Sequence, residues 1–147
     1  AIGGIYHGDK SRLSQWSGNP FAALICYEIS DGSLLSEAIS KGAEWIISIA
    51  NLDPYPISLQ REYLALARLR SIESSRDIIV ASNTGPSVLI SSDGSISNKI
   101  EPFIESIDLF EIGLKNTMTG YLIWKDYPLL LSVIAASFIR FIRKNRI

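Results

Sequence analysis

A chain of 147 residues has room for one domain of ordinary size and not for two. With 47% hydrophobic and 20% charged residues it can bury a core, which excludes a disordered or low-complexity chain. One cysteine excludes an intramolecular disulfide framework and a multi-cysteine metal site, and the single histidine, His7, argues against a histidine-based triad or a histidine-rich metal centre. The net charge of −1 is unevenly spread. Residues 140–147 hold Arg140, Arg143, Lys144 and Arg146 with no acid, which leaves −5 for the rest. A body that acidic argues against nucleic acid as a partner, because phosphate neutralisation needs a basic face. A mean hydropathy of +0.20 points instead to membrane contact. The sequence starts at Ala1 with no apolar signal region, inside what reads as ordered sequence, and is expected to be a fragment.

In chain order, Ala22–Tyr27 is a short apolar run that suits a buried strand. Asp31 to Gly42 spaces Leu34, Leu35, Ala38 and Ile39 at helical intervals, with Asp31 as N-cap and Gly42 as C-cap. Glu44–Ala50 reads as a second buried strand, and two prolines make Asn51–Ile57 a loop. A longer helix is predicted over Ser58–Arg76, with Leu59, Tyr63, Leu66, Leu69 and Ile72 as its buried stripe and Gln60, Arg61, Arg68 and Glu73 facing away. Arg68, Arg70 and Arg76 are expected as solvated or ion-paired surface charges. Ile78–Ser82 and Ser87–Ile90 are strands around an Asn83–Pro86 turn, Ser95–Lys99 returns as a hairpin, and Ser106–Glu111 is a weaker strand. Strands alternating with helices predict an α/β layered fold with some parallel pairing.

The last segment changes character. Tyr127–Ile139 has no charge, and Leu129–Ile139 is apolar almost all round. Tyr121–Ile142 is near the ~20 residues that cross a bilayer, with Tyr121, Trp124 and Tyr127 at one end and the basic cluster at the other. The expectation is a membrane span over 119–147 with a cytoplasmic tail, after a domain over 1–118 lying on the outer side. The run is taken to lack the polar face of an interfacial helix.

Chemistry is sought at strand ends. Cys26 closes an apolar run just before a helix start, where a thiolate nucleophile would be held rigidly within reach of substrate. Glu28 follows two residues on, on the same side if the strand continues, as a supporting carboxylate. Asn51 and Tyr55 after the second strand, and Asn83 after the third, share that sheet edge if the strands are parallel. With Tyr27 they are the candidate substrate contacts. No phosphate loop, dinucleotide fingerprint or metal cluster is visible, His7 with Asp9 is too isolated to hold a metal, and no cofactor is expected.

Ile25-Cys26-Tyr27-Glu28 resembles the nucleophile motif of the nitrilase, or carbon–nitrogen hydrolase, superfamily, closest to its branch of apolipoprotein N-acyltransferases. Ala67–Arg76 followed by Ala81–Ile90 is similar to that branch's helix, strand and Asn-Thr-Gly turn, and the apolar ending with its basic tail resembles its last transmembrane helix. The resemblance implies the second half of an α-β-β-α sandwich and a Glu–Lys–Cys triad of which only Cys26 is present. It implies a bacterial inner-membrane enzyme that moves an acyl chain from a phospholipid, through a Cys26 thioester, to the amine of an apolipoprotein. Glu28 matches a supporting position. Lys10 does not match the family lysine, so the chain by itself is expected to be inactive. Asn51-Leu52-Asp53-Pro54-Tyr55-Pro56 departs from the branch's usual Asn-Asp-x-Trp pattern, with Tyr55 in the aromatic role. A nitrilase-type amidase, or a truncated domain without catalysis, are the alternatives.

Overall fold

Residues 12–144 are described by a computed structural model, so His7, Asp9, Lys10 and Arg146 lie outside the described residues. Six strands form one mixed sheet in sequential order: β1 (Leu13–Trp16), β2 (Asn19–Ile25), β3 (Trp45–Ala50), β4 (Ile78–Ser82), β5 (Ser87–Ile90) and β6 (Ile96–Ile100). The pairs β2–β3 and β3–β4 are parallel, and the other three are antiparallel. A 3₁₀ turn (Cys26–Ser30) and α1 (Gly32–Ser40) connect β2 to β3, and α2 (Ile57–Ser74) connects β3 to β4. Both helices touch each other and so cover the same face of the sheet.

Register explains why that face is the core. Ala22, Ile46, Ile78 and Ile90 stand side by side across four strands, each with 0% exposure. The neighbouring row is Leu24, Ser48, Val80 and Val88. Ser48 is tolerated there because its hydroxyl meets the Tyr63 hydroxyl at 2.6 Å. The opposite face carries Ala23, Ile47, Ile79 and Leu89 in one row and Ile25, Ile49 and Ala81 in the next, with Ile25 66% and Ile49 50% exposed. Two layers of the expected four are therefore present among the described residues, and an apolar sheet face is left open.

Local chemistry sets most boundaries. Asp31 caps α1 by accepting from the Ser33 and Leu34 amides at 2.8 and 3.3 Å, and Gly42 beyond its end has φ +108°. Strand β1 was not anticipated. The signal was Ser17-Gly18, whose positive φ values of 51° and 86° close a two-residue hairpin onto β2. Ser106–Glu111 forms no strand, since Ile107 and Leu109 are almost fully exposed and meet no neighbouring edge.

The face of α2 is the largest correction. Leu59, Leu69 and Ile72 are exposed, while Gln60, Ala67, Arg70, Ser71 and Ser74 are buried. Small residues let the helix approach the sheet closely, and the polar ones satisfy backbone groups. Gln60 donates to the Leu52 and Tyr55 carbonyls, and the Ser74 hydroxyl to the Arg70 carbonyl. Arg76, 2% exposed, donates to the carbonyls of Ala43, Ser74, Ser75 and Thr117, so it is a structural clamp and not a surface charge. Asp77 accepts from the Ser92 and Gly113 amides. Together these pin the irregular segment that leads to α3 (Gly120–Trp124), whose Leu122 joins the core.

The terminal helix α4 (Tyr127–Lys144) buries none of its residues. The expected span is not met: among the described residues, no helix is long and apolar enough to cross a membrane. Arg140, Arg143 and Lys144 lie within the 18-residue helix and cut its uncharged run short. Nor is it apolar all round, since helical spacing aligns Ser132, Ala136, Arg140 and Arg143 on one stripe, opposite Ile134, Phe138 and Phe141.

The Asp31 cap yields a signed pH prediction. Hydrogen bonds from the Ser33 side chain and then its amide hold the Asp31 carboxyl below the usual carboxylate value. Its contribution is therefore full above the unfolded value near 3.8 and is lost as pH falls through the lower folded one. Asp31→Ala should cost about 1 kcal/mol at pH 7. Urea unfolding should find that difference shrinking only below pH 4.

Candidate active site

Because β2, β3 and β4 run parallel, their carboxyl ends share one sheet edge, and Cys26 stands at the first of them. It is the first residue after β2 and has φ +52°, a left-handed conformation that L-residues with a Cβ rarely adopt. The chain thus leaves the strand through a sharp, strained turn, as nucleophile elbows do. Since the strand stops at Ile25, Glu28 is not brought beside Cys26 by strand alternation. It belongs to the 3₁₀ turn and folds back, accepting the Ile25 amide at 2.9 Å through Oε2 and pairing with Arg12 at 2.5 Å through Oε1. Both carboxylate oxygens are thereby engaged in holding the turn on which Cys26 sits.

Two cavities meet at Cys26. The larger, about 820 Å³ and open, has Glu28, Asp31, Arg70 and Asp126 in its lining beside Ile25, Leu34 and Tyr121, and most of its surface is apolar. The smaller, about 410 Å³, is lined mainly by Ile29, Leu52, Tyr55, Leu59, Tyr63 and Leu66. Tyr27, highly exposed, borders both. Tyr55 therefore does reach the neighbourhood of Cys26. Asn51 and Asn83 line neither cavity. They border a separate shallow depression at the ends of β3 and β4, joined by an Asn83 Nδ2 to Asn51 Oδ1 bond of 2.7 Å. Asn83 Oδ1 also accepts the Leu52 amide at 3.0 Å, so this pair braces the loop that carries Tyr55.

Sequence reasoning missed Arg70 and Tyr63. Arg70, 7% exposed, sends Nε to the Ile29 carbonyl at 2.9 Å and Nη2 to the Ser30 carbonyl at 2.6 Å, while Nη1 pairs with Glu73. A cation from α2 thus anchors the turn just after Cys26. Its phase placed it on one helical stripe with Ala67 and Ser74, but small residues do not by themselves mark a buried face, so no local signal revealed it. Burial holds the Tyr63 phenol above its ordinary pKa, partly opposed by the Ser48 bond, and negative charge on Cys26 would raise it further. Among the described residues no group of side chains could hold a metal ion.

Removing the Arg70 cation leaves two carbonyls unsatisfied and Glu73 without its partner. Arg70→Met should destabilise the fold by about 3 kcal/mol. Adding Glu73→Leu should return part of that loss, which urea unfolding of the single and double variants would measure.

No family model matches the chain. It is 53% identical over 133 residues to an apolipoprotein N-acyltransferase of Prochlorococcus marinus (strain SARG), a match covering 90% of this chain and 27% of that protein. Apolipoprotein N-acyltransferase 1 of Treponema pallidum (strain Nichols) is 30% identical over 135 residues, covering 90% of this chain and 24% of that protein. The chain thus spans about a quarter of the length of the curated relatives it matches. Among solved structures, a branch 10 nitrilase-superfamily member from Saccharomyces cerevisiae gives a TM-score of 0.59 at 19% identity, covering 67% of this chain and 39% of that one. An amidase from Nesterenkonia sp. gives 0.55 at 18% identity, covering 82% and 46%. The chain is therefore similar over most of its length to one part of the apolipoprotein N-acyltransferases, and it shares the fold of these nitrilase-superfamily structures.

Proposed function

We propose that the protein transfers a fatty acyl chain from a phospholipid to the amino terminus of an apolipoprotein, with Cys26 as nucleophile. The observation that carries this reading is the left-handed Cys26 at the end of β2, bordering one cavity with several charged residues in its lining and a second lined mainly by apolar and aromatic side chains. The Cys26 thiolate attacks the ester carbonyl, the lysophospholipid oxygen leaves with a proton, and a thioester remains. The acceptor's amine then attacks that thioester, forming an amide and returning the thiol. Glu28 acts as a positioning residue, because both its oxygens are committed to the turn, and Tyr27 and Tyr55 contact substrate. Asn51 and Asn83 act on substrate through the loop they brace.

The open sheet face bearing Ile25, Ile49 and Ala81 packs against a second sheet from the rest of a longer enzyme, completing the four-layer sandwich. This rests on the shared fold and on the partial coverage of the solved structures. The general base and the lysine of the triad come from that remainder. The stretch beyond 119 serves lipid contact: α4 turns Ile134, Phe138 and Phe141 toward the acyl region, and Arg140, Arg143 and Lys144 meet anionic headgroups.

Incubating the full-length enzyme with phospholipid alone should give a hydroxylamine-sensitive acyl adduct in intact-mass spectra. Cys26→Ser should lack the adduct while retaining the fold, because serine is nearly isosteric but a far weaker nucleophile. A folded, fully active serine variant would reduce Cys26 to a packing residue. Glu28→Ala should slow adduct formation about tenfold without abolishing it, as expected for a lost positioning contact of about 1.4 kcal/mol.

A further inference from the structure

Two hydroxyls beside the reacting centre share one hydrogen bond, and the proton left over has an address. Ser48 is fully buried between Leu24 and Val80 and meets the Tyr63 hydroxyl at 2.6 Å. Among the described residues neither hydroxyl has another partner. The pair holds two O–H donors and uses only one of them in its own bond. A Ser48 proton turned away from Tyr63 would sit unpaired among aliphatic side chains, the costlier arrangement. Ser48 therefore donates and Tyr63 accepts. The spare proton belongs to the phenol, and Tyr63 lines the cavity of about 410 Å³ that Cys26 also borders.

We infer that Tyr63 is a further catalytic residue, which donates a hydrogen bond to the oxygen of an acyl group carried on Cys26, with Ser48 as the positioning residue that aims it. The inference rests on Cys26 being the nucleophile, as proposed above. Tyr63 makes no bond to the Cys26 sulfur itself, so its acceptor is an atom that substrate brings. A thioester carbonyl fits, because its oxygen stands out beyond the sulfur and gains negative charge when an amine attacks its carbon. Burial holds the Tyr63 phenol above its ordinary pKa, so it stays protonated and able to donate. Negative charge at Cys26 acts in the same direction, which puts sulfur and phenol within electrostatic reach of each other. The mounting is rigid. Gln60 and Arg70, on either side of Tyr63 along α2, donate to the Leu52 and Ile29 carbonyls and hold the helix against both loops of the site.

Nitrophenyl acetate with a heavy isotope at its carbonyl carbon tests the donor on the full-length protein without phospholipid. The Cys26 thiolate attacks the carbonyl, a thioester forms, and nitrophenolate leaves with the electron pair. Isotope-edited infrared spectra, with Cys26→Ser as the blank, isolate the thioester carbonyl band. In Tyr63→Phe this band should rise in frequency, and hydroxylamine should cleave the thioester about tenfold more slowly. A ring-fluorinated tyrosine in place of Tyr63, a stronger donor of nearly the same shape, should move both readouts the opposite way. Ser48→Ala reads the direction of the shared bond. It should raise the band, because the phenol loses its aim; a lowered band would mean that the phenol had been donating to Ser48, and would overturn the inference. A thioester that forms with the same band in wild type and Tyr63→Phe overturns the donor and leaves acyl transfer standing. No thioester at Cys26 overturns the acyl-transfer reading and the donor with it.

Discussion

Cys26 occupies a backbone conformation that carries a penalty of about 1–3 kcal/mol, and it persists only because its surroundings over-determine it. Much of the architecture around the sheet edge can be understood as that over-determination. Upstream, the Ile25 amide is held by Glu28, which Arg12 holds in turn. Downstream, the Ile29 and Ser30 carbonyls are held by Arg70 from a helix forty residues away in sequence, and Asp31 fixes the start of α1. A strained residue between two such clamps has no soft direction in which to relax, and its thiol stays at the rim between the cavities.

The same economy of contacts shapes α2. A helix with a wholly apolar inner face would fill the core more generously, but it would stand farther from the sheet and leave several carbonyls unsatisfied. Here Ala67, Ser71 and Ser74 bring it close, and Gln60 and Arg70 reach from it to the loop and turn that form the site. Buried cations and amides of this kind favour one arrangement of loops, because every alternative leaves a charged or polar group unpaired in a dry environment. Arg76 and Asp77 do the equivalent at the opposite end of β4, where they hold the return segment toward α3.

Two loops supply the surroundings of the nucleophile. The turn after β2 and the start of α1 line one cavity with Glu28 and Asp31 beside Ile25 and Leu34. The loop after β3 and the first turns of α2 line the other mainly with leucines and aromatic rings, with Glu62 among them. Parallel strands bring the two loops to one edge.

Sequence by itself determined the order of elements from β2 to β6, the Asp31 and Gly42 caps, the turn at Asn83–Pro86 and the position of Cys26 at a strand end. Each of these is a local property of backbone propensity and hydrophobic period. It also carried the resemblance to the family, through a short motif whose residue types are tied to its chemistry. Tertiary structure alone decided the buried face of α2, the clamping roles of Arg70 and Arg76, and the return of Glu28 onto Ile25. It also decided the bracing role of Asn51 and Asn83. The physical reason is common to the polar cases. An arginine such as Arg70 or Arg76 reads as a surface residue until carbonyls it satisfies are brought to it from thirty or forty residues away, and no local pattern records where those carbonyls will be.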